Sequence, residues 1–83
     1  MALSHVELKK AVAYLAAGDW RSAHEIVQKD EGSALSCWAH GIVHIVEGDI
    51  PNARYWYGQA KRAFPAKPDV AEEIDSLLKE FRS

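Results

Sequence analysis

His40 and His44 stand four residues apart, and Glu47 follows three residues later. On an α-helix this spacing sends the side chains from one face. Two imidazoles and a carboxylate so placed form a donor set for a transition metal. His24, in the preceding segment, offers a third nitrogen. The competing reading is that these histidines pack as half-buried polar residues bonded to a carbonyl or a tyrosine hydroxyl. The chain has no HExxH motif and no cysteine at ligand spacing. His24, Glu25, His40, His44, Asp49 and Tyr55 are also types that do acid–base work. No serine or cysteine nucleophile stands in a recognisable setting, and Cys37 inside a helix reads as a small core residue. A metal-binding or enzymatic site on His24, His40, His44 and Glu47 is therefore the alternative reading of function.

The elements that position these residues follow from an internal repeat. Gly18-Asp19-Trp20 recurs as Gly48-Asp49-Ile50, with Ala23 and Ala53 after the same gap. Such a period marks stacked helical units. Five helices are predicted. Ser4 to Glu7 forms a capping box, and Leu8, Ala11, Val12 and Leu15 give the first helix its apolar face. Gly18 stops it, and Asp19 caps a second helix over about 20–30. The third spans about 34–47, with Gly48 as its stop. The fourth starts at Asp49, tolerates Pro51 in its first turn and carries Ala53, Tyr57, Ala60 and Phe64 as a stripe. After Pro65 and Pro68, Asp69 and Glu72 open a fifth, with Val70, Ile74, Leu77 and Phe81 on one face. Gly58 inside the fourth helix suggests a close approach by the fifth. Residues 51–67 hold four basic residues and no acid, whereas 68–83 hold five acids. That contrast either favours helix five beside helix four or marks two simply solvated faces.

Gly41, Gly48-Asp49, Ala53, Tyr57, Ala60 and Pro65 together resemble a tetratricopeptide repeat, and Ala11, Tyr14, Gly18, Asp19 and Ala23 resemble part of another. The offset here is thirty residues rather than that family's 34. The stretch from about Ala17 to Pro65 is also similar to short uncharacterised bacterial proteins with a histidine-rich helix before GD…NA.YWY, a likeness that names no activity. The resemblance implies an all-α right-handed superhelix in one domain spanning 1–83. Its units would be 3–31 and 34–65, closed by a capping helix over 69–82. It also implies a groove on the first helix of each unit, lined by Leu8, Val12, Leu35, Trp38, Ile42, Ile45 and Val46, that holds a protein or peptide. Only Lys9 is on hand there, so a carboxylate clamp is not expected. The groove is either open or covered by helix five or by a second copy, which would make a homodimer.

Composition excludes several classes. With 83 residues, 48% hydrophobic and 27% charged, the chain is one small globular domain. A net charge of −2 and a pI near 6.0 argue against nucleic acid as a partner. Tyr55, Trp56 and Tyr57 diverge by about 100° per residue and form no single stacking platform. No apolar run approaches the ~20 residues of a membrane span. One cysteine and no secretory leader fit a cytoplasmic protein. The expectation is a non-catalytic interaction module without a cofactor.

Overall fold

Each helix begins where a short polar side chain takes up a free backbone N–H. The Ser4 hydroxyl accepts from Glu7 N at 3.1 Å, Ser33 from Ser36 N at 3.4 Å, and Asp69 from Glu72 N at 3.2 Å. Asp19 and Asp49 do the same for Ser22 N at 3.2 Å and Asn52 N at 3.3 Å. Each such cap contributes about 1 kcal/mol. The computed structural model describes residues 4–82, the side chains of His5, Phe81 and Arg82 excepted. It contains α1 (His5–Ala16), α2 (Trp20–Val27), α3 (Ala34–Glu47), α4 (Ile50–Gln59) and α5 (Val70–Arg82), with no strand among the described residues. Phe81, expected on the α5 stripe, has its side chain outside that description.

The duplicated corners are duplicated in backbone geometry. Gly18 and Gly48 adopt φ of 84° and 89°, left-handed values that disfavour any side chain. Asp19 N–H then donates to Tyr14 O at 2.8 Å, and Asp49 N–H to His44 O at 2.9 Å. Gly18 N–H reaches Leu15 O and Gly48 N–H reaches Ile45 O, both at 3.1 Å, completing a Schellman motif at each corner. A third one ends α4 early, at Gln59 rather than near Phe64. There Lys61 takes the left-handed conformation (φ 58°) and Arg62 N–H donates to Tyr57 O at 3.0 Å. The second helix also stops short, at Val27. Buried Asp30 turns its carboxylate onto Gly32 N and Ser33 N, each at 3.1 Å, and fixes the connection into α3.

The helices pack in chain order, α1 on α2, α2 on α3 and α3 on α4, while α5 folds back onto α3 and α1. The expectation that α5 lies beside α4 is therefore corrected. Exposed ion pairs contribute only ~0–1 kcal/mol, whereas burying a large aliphatic side chain contributes about 1.5–3 kcal/mol. Ile74 and Leu77 find that burial against the apolar faces of α1 and α3. A single carboxylate completes the docking: Glu73 accepts from Tyr57 Oη at 2.5 Å and from Trp38 Nε1 at 3.3 Å. The Arg62 guanidinium covers the same indole, 3.4 Å from its ring centre. Overall extents of 30 × 26 × 24 Å are nearly equal, so α5 closes the stack rather than lengthening it.

One contact sets the spacing of α3 and α4. A Cβ on Gly41 would collide with the Tyr57 ring and lie 3.3 Å from Ala53 O. Gly58, expected to admit α5, is exposed, and a Cβ there would meet nothing within 4 Å among the described residues. That expectation is also corrected, because α5 approaches from the α1 and α3 side. Two substitutions of the same kind should then act oppositely. Gly58→Ala should stabilise by roughly 1 kcal/mol through helix propensity. Gly41→Ala should destabilise by about 1–3 kcal/mol through overpacking. Urea unfolding of both variants checks this, and a stabilising Gly41→Ala would refute the close approach.

Candidate metal centre

The α2–α3 packing brings His24 across from His40 and His44. The register is held at the connection, where the Ser36 hydroxyl donates to Val27 O at 3.3 Å and Asp30 ties the turn. His24 Nε2 and His40 Nε2 approach to 3.2 Å. The His40 and His44 rings, one helical turn apart, lie nearly parallel (21°) with centroids 5.0 Å apart. His24 meets them edge-on, at 4.9 Å and 5.4 Å. One ligating nitrogen from each ring falls within 4.8 Å of the others. Two nitrogens bound to one tetrahedral zinc at 2.0–2.1 Å would sit about 3.3 Å apart. The His24–His40 spacing already matches that figure.

Burial grades the three histidines. His40 and His44 are 3% and 5% exposed, and His24 is half-buried. Trp56 lies flat on His40, with centroids 3.9 Å apart and planes 9° from parallel, and seals that side. Burial therefore holds His40 far below the ordinary imidazole range, at about 3, with His24 and His44 lowering it further. A neutral imidazole is the metal-binding form. Without an ion, the pair shares one proton along the Nε2···Nε2 line, and Nδ1 of His40 has no hydrogen-bond partner among the described residues. Burying an unpaired ring nitrogen costs about 1–3 kcal/mol.

Glu47 plays a different part from the three histidines. Its Oε1 lies 3.3 Å from His44 Nδ1, too far round to join the three-imidazole group. A carboxylate on Nδ1 fixes the tautomer that leaves Nε2 free and raises its basicity. His44, Glu47 and Asp49 form a second group within 4.8 Å. Asp49, however, already caps α4, and Glu47 is exposed.

The expected peptide-binding residues lie elsewhere. Leu8, Val12, Trp38 and Ile42 are buried in the common core with Ile74 and Leu77 of α5. Leu35 and Ile45 are partly buried against that core, and Val46 is the exposed member at 37%. The α1 and α3 face is thus covered by the chain itself. Tyr55 is 56% exposed and packs edge-on against Trp56, apart from the histidines. Cys37 is buried with its thiol donating to Glu31 O at 3.3 Å, and burial pushes its pKa up, as suits an inert core residue. Trp56, buried and stacked on His40, is the neighbour of the histidines that the sequence reading did not single out. The available signal was the spacing of Ala53, Trp56, Tyr57 and Ala60, which is i, i+3, i+4, i+7. No protein-family model, curated protein or solved structure matches this chain.

The depressed His40 pKa makes stability depend on acid. Above the unfolded value near 6.5 both states carry neutral His40, and the full stability is present. As pH falls from there towards about 3, the unfolded chain takes up a proton that the folded chain refuses, so stability declines. The acid limb of wild type should therefore be steeper than that of His40→Leu, by close to one proton. Denaturation midpoints collected across that pH window test this, and parallel limbs would contradict it.

Proposed function

We propose that this chain binds one divalent transition metal, zinc or a close analogue, through His24, His40 and His44. The ion then ties the α1–α2 pair to the α3–α4 pair. The observation that carries the reading is the 3.2 Å approach of two Nε2 atoms within a three-imidazole cluster. Three nitrogen donors suit zinc, cobalt, nickel or copper, whereas calcium and magnesium require oxygen. Glu47 supports the reading from behind His44 by holding Nδ1, the arrangement usual for a ligating histidine.

The scaffold is, on our reading, a right-handed stack of two tetratricopeptide-like hairpins closed by α5. Two corners of equal geometry thirty residues apart support it, as does the fit of Tyr57 over Gly41. An adaptor built on that scaffold would seat its partner on the α1 and α3 face. Because α5 occupies that face, the histidine cluster is the better-supported site. No helix of the described residues is long and apolar enough to cross a membrane.

Titration calorimetry of tag-free protein should give one equivalent of zinc or cobalt bound at roughly micromolar Kd or tighter. Glu47→Gln should keep the stoichiometry and weaken affinity about 10–100-fold. His24→Ala should lose the site. At a hundredfold excess over Kd the ion adds about 2.7 kcal/mol, raising Tm on the order of 10 °C or more. Affinity weaker than about millimolar, or full affinity in His24→Ala, would end the proposal.

A further inference from the structure

We infer that the ion keeps one coordination position for a small anion from solution, an inference that rests on the metal-binding reading above. Donor supply is the first reason. Among the described residues, His24, His40 and His44 alone converge on the inner site, and a tetrahedral ion takes four ligands. The nearby candidates for a fourth are engaged. Glu47 Oε1 faces His44 Nδ1 at 3.3 Å, on the edge of the ring away from Nε2. Asp49 Oδ1 accepts from Asn52 N at 3.3 Å, and Oδ2 accepts from the Asn52 amide at 3.5 Å. Cys37, the one thiol, is tied to Glu31 O.

Charge is the second reason. Three neutral imidazoles leave the full 2+ of the ion in place, and among the described residues the nearby carboxylates, Glu47 and Asp49, stand beside His44 without reaching the inner site. A net positive charge held among His40, His44 and Trp56, all nearly buried, is unfavourable unless it is paired. A directly bound anion supplies that pairing where no side chain does.

Access is the third reason. Trp56 closes one face of His40, and α3 carries both buried imidazoles. His24 is the half-buried member, so the solvent-facing side of the cluster is its side. Exposure confined to one half-buried imidazole suits a small monodentate anion. A peptide or nucleotide does not.

Cobalt(II) reports coordination number directly, since four-coordinate ions absorb strongly in the visible and six-coordinate ions weakly. Full-length wild-type protein loaded with cobalt should show strong bands, absent in His24→Ala. Azide and thiocyanate should each shift those bands along a saturable one-to-one curve. Tryptophan fluorescence should fall when cobalt loads, and fall less in Trp56→Phe, which leaves Trp20 and Trp38 as the emitters. Strong bands unmoved by either anion would overturn the open position while leaving metal binding intact. Weak bands unmoved by either would do the same. Failure of cobalt to load would remove both readings together.

Discussion

The ring of Tyr57 resting on the bare Cα of Gly41 is the contact from which the other features follow. It lets α3 and α4 approach closely enough for Ala53 to lie against α3, fully buried. From that position the Tyr57 hydroxyl reaches Glu73 and so fixes where α5 docks. Trp56, the preceding residue on α4, is turned onto His40 by the same placement. Burial and the Glu73 carboxylate keep the Tyr57 pKa above the ordinary phenol range, so its hydroxyl remains a donor. A methyl group at position 41 would thus disturb a helix pair, a cap and a histidine at once.

Duplication explains the scaffold but not the site. At the thirty-residue offset, Ala11 matches Gly41, Ala23 matches Ala53 and Val27 matches Tyr57, and all of these are buried. The two glycine–aspartate corners match to within a few degrees of φ. The histidines break the pattern. Lys10 and Tyr14, both exposed, stand where the second unit has His40 and His44, and exposed Arg54 stands where the first has His24. The cluster therefore exists only where the second helix of one unit meets the first helix of the next. Residues required only for hairpin packing would recur in both units, as the small residues do.

Much of this was legible because local chemistry fixed it. Ser4, Asp19, Asp49 and Asp69 announce helix starts, and Gly18 and Gly48 announce stops whose geometry needs no tertiary help. The pairing of His40 with His44 was legible for the same reason, being one helical turn. His24 depended on how α2 crosses α3, which periodicity does not encode, and its inclusion rested on sequence proximity. What was misread lay at long range. Net charge suggested α4 as the neighbour of α5, yet apolar area on α1 and α3 decided the matter. Gly58 looked like a contact glycine, whereas Gly41 holds that role and Gly58 faces open space. Helix ends at Val27 and Gln59 came early because the Asp30 carboxylate takes up Gly32 N and Ser33 N and Lys61 adopts the left-handed conformation, neither of which helix propensity encodes.

A domain of this size has little surface to bury, and its margin of stability is correspondingly small. Placing two nearly buried imidazoles in its centre is unfavourable compared with leucine or phenylalanine of similar volume. His40 is held neutral, its Nδ1 lacks a partner among the described residues, and its Nε2 shares one proton with His24. The first two of these features weaken the folded chain on their own, and the third offsets part of that cost. Each also prepares a ligand: neutral, preoriented and shielded on one side by an indole. A cation at the junction would convert the same arrangement from a liability into a further cross-link between hairpins already joined by α2 on α3 and by α5 across α1 and α3. The first hairpin, with Val27 where the second has Tyr57, packs less bulk against its own first helix. It therefore has the most to gain from being tied to its neighbour, which is the end of the molecule that His24 belongs to.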